Sequence, residues 1–160
     1  MTFLGNMGEA DPPHQSLATR HSMCYIRRMI MTLPLILSVA LGGAAGSVAR
    51  FVVSHRLTQA FGAGFPYGTL AVNVAGSLLM GLLMGWLLRD PDRLQNTLYA
   101  LLGIGFLGGF TTFSSFALDV VKLLQNNQNM TLALGYVLVS VVVSVGAVVV
   151  GIQMMKVMAV

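Results

Sequence analysis

Charged residues are scarce in this chain: they make up 9% of its 160 residues, whereas hydrophobic residues make up 56%. The mean hydropathy is +0.79. A soluble domain of this size needs a charged surface, which this composition cannot supply. The hydrophobic residues form four runs, each close to or above the roughly 20 residues that cross a bilayer, at about 33–53, 67–88, 97–123 and 131–155. We therefore predict an all-α membrane protein with four transmembrane helices.

Cysteine and histidine are also rare. The single cysteine, Cys24, excludes a disulfide within one chain, and no Cys/His spacing matches a zinc site. The histidines lie outside the predicted spans, so we expect solvated side chains rather than ligands at His14, His21 and His55. The few basic residues flank the spans, so the basic isoelectric point does not indicate a nucleic-acid partner.

The first 28 residues differ in composition from the rest. They are mixed polar sequence and contain no apolar core of the kind that a signal peptide requires. We expect residues 1–28 to be a disordered extension or the product of a misassigned start codon, because Met29 and Met31 directly precede the first span. Residues 29–160 then form one four-span membrane domain.

The third run is interrupted. Its segment 103–116 contains four glycines, four serines or threonines and four phenylalanines. Irregular backbone at membrane depth persists only where protein or a water-filled path covers it, because each unsatisfied polar group costs several kcal/mol. We therefore predict a broken third helix beside an ion or solute site. Carbonyl groups freed by the break at residues 108–111 are natural ligands for a hard cation such as Na⁺.

Two spans carry rows of neutral polar side chains. In each row the residues are four apart and so share a helix face: Thr69, Asn73 and Ser77 in span 2, and Tyr136, Ser140 and Ser144 in span 4. A lone serine or threonine usually bonds within its own helix, but a lone helix cannot satisfy the Asn73 amide. The rows favour a pore lining over the alternative, a hydrogen-bonded helix seam. Uncharged donors suit a small anion, because no fixed cation traps it.

Three further residues have alternative interpretations. Phe113 and Phe116 share a face, and their positive ring edges could receive an anion, although core packing is the commoner role of such residues. Arg50, near the end of the first predicted span, could attract anions to an entrance or could be an ordinary interfacial arginine.

Ionisable residues are nearly absent from the predicted spans, where Asp119 and Lys122 lie close to the end of span 3. Such residues are typical of ion-coupled pumps, so their scarcity disfavours an active transporter. A proton-coupled multidrug exporter would need a carboxylate in span 1, which has none. A structural assembly subunit, whose polar rows only join helices, is the other alternative. Nothing indicates an enzyme.

Arginine and lysine set the orientation of membrane proteins. Without residues 1–28, the two sides of the membrane carry three basic residues each: Arg89, Arg93 and Lys156 against Arg50, Arg56 and Lys122. Arg20, Arg27 and Arg28 would shift this balance if the extension is native. The zero bias favours insertion in both orientations and an antiparallel pair. Glycine pairs at i, i+4 further predict close helix packing: Gly42/Gly46, Gly81/Gly85 and Gly105/Gly109.

Three motifs carry a resemblance. Gly42-Gly-x-x-Gly-x-x-x-Arg50-Phe51, Gly68-Thr-Leu-x-Val-Asn73-x-x-Gly76-Ser and Gly108-Gly-Phe-Thr-Thr-Phe-Ser-Ser-Phe116 occur in order on successive spans. Together they resemble the CrcB/Fluc family of fluoride channels over about residues 33–155. The resemblance implies a passive channel in the inner membrane of a prokaryote. This channel would be an antiparallel, dual-topology homodimer that exports fluoride and confers fluoride resistance.

The resemblance also implies residue roles. It places fluoride along Asn73, Phe113 and Phe116. The span-4 track of the family corresponds to Tyr136, Ser140 and Ser144, and its basic vestibule residue to Arg50. A structural Na⁺ at the dimer interface would be held by the main-chain carbonyls of Gly108 and Thr111. Thr69 joins the candidates through the polar row of span 2.

Overall fold

The computed structural model describes residues 17–89, 97–127 and 130–158, with side chains over 33–89, 97–125 and 130–158. Within these residues every element is helical. The first helix, α1 (Leu17–Phe61), begins inside the predicted extension, and residues 1–16 lie outside the described part of the chain. The disorder of residues 1–28 therefore stays a prediction. The chain from Pro34 onward forms one compact unit, and the residues before it belong to another.

The four predicted spans are confirmed. After α1, the chain forms α2 (Tyr67–Leu87), α3 (Thr97–Tyr99), a π-helix (Ala100–Leu107), α4 (Gly108–Phe110), α5 (Phe113–Asn127) and α6 (Met130–Val157). In the described residues, four helical segments are long and apolar enough to cross a membrane: Leu33–Phe61, Tyr67–Leu87, Thr97–Gln125 and Met130–Val157. The described part of the chain is thus all-α, with four membrane-spanning helices.

The first span ends later than predicted. It was expected to end near Val53, where polar residues begin, but α1 continues to Phe61. Gly62 ends the helix, because it adopts a φ of +82° and its N–H donates to the Thr58 carbonyl oxygen at 2.9 Å. A side chain would strain this left-handed conformation. His55, expected outside the spans, therefore lies within α1, where its ring stacks on Phe51.

At several glycines the helices pack with their backbones in direct contact, because no side chain separates them. A Cβ atom on Gly42 would strike the Leu101 carbonyl oxygen, and one on Gly109 would lie 2.5 Å from the Gly43 oxygen, so α1 packs directly on the third span. In the same way, α2 packs on α6, where a Cβ on Gly81 would strike the Val148 oxygen. Close approach over small residues is a main route to helix association in lipid. The predicted packing at the three glycine pairs is confirmed.

The third span is broken, as predicted. Its first half ends at Phe110, Thr111 is extended with φ −84° and ψ 156°, and the helix resumes at Phe113. The break is therefore two residues wide. The segment before it, Ala100–Leu107, is π-helical, a conformation that neither its composition nor its spacing indicated. Short π-helical segments are rare and occur frequently at functional sites.

Candidate functional site

Asn73 of α2 binds the backbone of the break. Its amide nitrogen donates to the Thr112 carbonyl oxygen at 3.0 Å, and its amide oxygen accepts from the Thr112 N–H at 2.7 Å. The Asn73 amide oxygen thus satisfies the Thr112 N–H, which the interrupted helix leaves unpaired at membrane depth. The amide nitrogen adds a second donor to the Thr112 carbonyl, which as the N-cap carbonyl already accepts the first helical bond of α5. The sequence indicated that Asn73 needs a partner outside its own helix, and Thr112 is that partner.

Arg50 of α1 binds the other side of the break. Its Nε donates to the Gly109 carbonyl oxygen at 3.0 Å, and the side chain is half-buried. The expectation that Arg50 lies near the end of its span is wrong, because α1 continues for eleven residues to Phe61. At 1.5 Å per residue, this is roughly 16 Å of helix. Arg50 therefore lies inside the span beside the break and not at the membrane–water interface.

Thr112 caps the second half of the span. Its Oγ1 accepts from the Ser115 N–H at 3.2 Å, which is the usual bond of an N-cap threonine. The same hydroxyl lies 3.3 Å from Ser114 Oγ and donates to Ser115 Oγ at 3.1 Å. A cluster of three hydroxyls therefore surrounds the first turn of α5.

The break leaves the carbonyls of residues 108–111 without their helical donors, and of these the Gly109 oxygen accepts from Arg50. In a continuous helix, the Gly108 oxygen would accept from Thr112 N–H and the Thr111 oxygen from Ser115 N–H. The first N–H binds Asn73 instead, and the second binds the Thr112 hydroxyl. These are the two carbonyls expected to hold Na⁺, and oxygen ligands suit that hard cation. The described side chains offer no group of three or more histidine, cysteine, aspartate or glutamate residues as an alternative metal site.

A groove beside the break gathers five of the eight predicted pore residues: Asn73, Phe113, Phe116, Ser140 and Ser144. It has a volume of about 400 Å³, and the other residues along it are Gly76, Ser77, Met80, Thr111, Thr112, Val141, Val145 and Val148. None of these described lining residues is charged. The groove is open on one side, since Phe113 is 80% exposed. The rings of Phe113 and Phe116 lie 5.6 Å apart.

The polar row of α6 is buried and unpaired. The hydroxyls of Tyr136, Ser140 and Ser144 make no hydrogen bond of good geometry among the described residues, although Tyr136 lies near the hydroxyls of Ser140 and Thr69. A buried polar group without a partner costs about 1–3 kcal/mol, so three in one row indicate a site for a ligand that accepts hydrogen bonds. Tyr136 lies outside the groove lining, and its ring packs on Phe116 and Phe65, with centroids 5.3 and 5.5 Å away.

Thr69 does not line the groove that the other two residues of its row line. Its hydroxyl donates to the carboxylate of Asp119 at 2.6 Å. Both residues line a second cavity of about 440 Å³, together with Ser54, Thr58, Ala63, Gly64, Phe65, Pro66, Gly68, Lys122 and Leu123. Asp119 was expected near the end of span 3 but not as a site residue. A signal was present, because Asp119 is the one carboxylate within the four predicted spans.

Comparison with known proteins gives the family. The model of the family described as "CrcB-like protein, Camphor Resistance (CrcB)" matches residues 37–152. Relatives called fluoride-specific ion channel FluC include one from Paracoccus denitrificans (strain Pd 1222), 52% identical over 118 residues, which cover 72% of this chain and 89% of the relative. Another is from Caulobacter sp. (strain K31), 44% identical over 116 residues, 72% of this chain and 90% of the relative. A third, from Pseudoalteromonas translucida (strain TAC 125), is 48% identical over 100 residues, 62% and 82% of the two chains. This chain belongs to the CrcB family.

Proposed function

We propose that this protein is a passive, fluoride-selective channel that carries fluoride out of the cytoplasm. Its relatives are named for this activity. The observation that carries the proposal is the groove beside the break, which is uncharged and adjoins buried hydroxyls without partners. The protein is a channel and not an enzyme. HF crosses the bilayer and dissociates inside, and the trapped anion leaves through the protein, so the cell becomes fluoride-resistant.

The chemistry of the groove suits a small anion that loses its water. Ser140 and Ser144 offer hydroxyl donors, and Phe113 and Phe116 offer ring edges, which are positive. Conduction requires binding strong enough for entry and weak enough for release. Neutral donors meet both conditions, because they compensate dehydration without a fixed cation. The amide of Asn73, which binds Thr112, contributes mainly by holding the break.

The rival functions have less support. A proton-coupled exporter needs an intramembrane acid in the first span, and the segment Leu33–Phe61 contains no aspartate or glutamate. An assembly subunit explains the bonds between Asn73 and Thr112, which join two helices. It does not explain the unpaired hydroxyls of α6.

The channel is proposed to be an antiparallel homodimer in the plasma membrane of a prokaryote, with each chain inserted in the opposite orientation. One chain leaves the groove open, with Phe113 largely exposed, so a second copy would close it. A reporter fused to the C-terminus should report from both sides of the membrane. A reporter found only in the cytoplasm would contradict dual insertion.

A structural Na⁺ at the dimer interface is proposed to bind the carbonyls of Gly108 and Thr111. The support is that both carbonyls lack their helical donors and that Gly108 is exposed on the surface of the chain. A bound Na⁺ would compensate the partial negative charge of these two carbonyl oxygens. Replacing Na⁺ by N-methylglucamine should lower the melting temperature of the purified protein. An unchanged melting temperature would contradict the site.

Fluoride efflux from proteoliposomes, followed with a fluoride electrode, tests the function, and chloride efflux is the control. Phe113→Ile should lower fluoride efflux by roughly tenfold or more, which corresponds to about 1.4 kcal/mol. Leu118→Ile is the matched control, because Leu118 is an exposed residue of α5 outside the groove. Vesicles that stay sealed to fluoride would refute the channel. Normal efflux through the Phe113 variant would remove the phenylalanine from the mechanism.

A further inference from the structure

Arg50 lies where α1 and the broken span meet backbone to backbone. Gly42, Gly46 and Arg50 are four residues apart, so they share one face of α1. A Cβ atom on Gly46 would lie 3.0 Å from the Phe110 nitrogen, and one on Gly109 would lie 2.5 Å from the Gly43 oxygen. The face of α1 that carries Arg50 is thus fixed against residues 109–110.

The carbonyl that Arg50 binds is one that the break leaves without its helical donor. In a continuous helix the Gly109 oxygen would accept from the N–H of Phe113. Phe113 lies beyond the break, as the first residue of α5. The Nε of Arg50 takes this place at 3.0 Å. An unpaired carbonyl at this depth would be costly, so the bond replaces an interaction that the break removes.

We propose that Arg50 is a positioning residue, which fixes the end of the first half of the third span to α1 through the hydrogen bond from Nε to the Gly109 oxygen. It acts together with Asn73, which holds Thr112 from α2. The donor at Nε carries this role, and the positive charge does not. The ion-flux part of its test rests on the proposed channel function, whereas the structural part does not.

Three substitutions separate the donor from the charge. Arg50→Gln places an amide nitrogen on Cδ, the same carbon that carries Nε in arginine, and so keeps a donor there without the charge. Arg50→Lys keeps the charge but has a methylene group at that position. Arg50→Met has neither. Arg56→Gln is the control for lost charge, because Arg56 is exposed on the same helix.

The first measurement is amide hydrogen exchange of the full-length protein, read on peptides that cover residues 108–115. The second is fluoride efflux from proteoliposomes. We expect Arg50→Gln to stay within about threefold of wild type in both, since a neutral hydrogen bond replaces a charged one. Arg50→Lys and Arg50→Met should exchange roughly tenfold faster and lose fluoride efflux by a similar factor. Arg56→Gln should match wild type.

Three other results would overturn the proposal. Normal behaviour of the lysine variant with failure of the glutamine variant would assign the role to the charge. Wild-type exchange in all three variants would show that the break does not depend on Arg50. Amide exchange over residues 108–115 that is as fast in the glutamine variant as in the methionine variant would refute the role of the Nε donor. If wild-type protein carries no fluoride while the exchange pattern holds, the channel function fails and the role of Arg50 stands.

Discussion

Replacing Asn73 by leucine removes both hydrogen bonds that hold Thr112, at 3.0 and 2.7 Å, with little change in side-chain size. Hydrogen bonds between membrane helices contribute about 0.6 kcal/mol on average and up to about 1.7 kcal/mol. Because the Thr112 N–H loses its partner and the Thr112 carbonyl loses one of its two donors, we expect a loss of about 1–3 kcal/mol. At 1.4 kcal/mol per tenfold change, the break should open roughly five to 150 times more often.

Amide exchange at Thr112 measures this opening directly, because its N–H is the donor to Asn73. Fluoride efflux should fall with it, since Phe113, the next residue, loses its fixed position. Leu79→Ile is the matched control, because Leu79 is an exposed residue of α2 outside the groove and makes none of the hydrogen bonds described for the break. Exchange at Thr112 that equals wild type in Asn73→Leu would refute the reasoning.

Two other substitutions probe the packing and the polar row. Gly46→Ala should lower the free energy of unfolding by about 1–3 kcal/mol, because its Cβ would strike the Phe106 oxygen. The melting temperature in detergent measures this loss. Gly135→Ala is the control and should not lower the melting temperature, because its Cβ would meet nothing within 4 Å. Ser140→Ala should leave stability unchanged or raise it by up to about 1 kcal/mol, because the hydroxyl has no partner. The same variant should conduct fluoride severalfold more slowly in vesicles, and a wild-type rate would exclude the hydroxyl from the path.

Hydropathy was sufficient to predict the spans, because the bilayer sets the length of a helix that crosses it. It failed at the end of α1, where polarity was taken as the stop signal. Helices end where the backbone can no longer continue, and in this chain that residue is Gly62. Because α1 continues for eight residues after Val53, Arg50 lies in the interior of the span and not at its end.

The sequence was sufficient to select candidate residues for the site. It was not sufficient to predict the hydrogen bonds that these residues make. Spacing indicated that Asn73 needs a partner, but the partner is 39 residues away and depends on how α2 meets the break. The separation of Thr69 from the groove has the same origin, since its bond to Asp119 spans 50 residues. The π-helix before the break has no sequence signal that we used, and it lies where α1 meets the third span at Gly42 and Gly105.

The two-residue interruption at Thr111 and Thr112 has an electrostatic consequence of its own. Aligned peptide dipoles give a helix roughly half a positive charge at its amino end and half a negative charge at its carboxyl end. The carboxyl end of the first half, at Phe110, and the amino end of α5, at Phe113, therefore meet inside the membrane. The interruption presents opposite partial charges a few residues apart, so one stretch of backbone attracts an anion on one flank and a cation on the other.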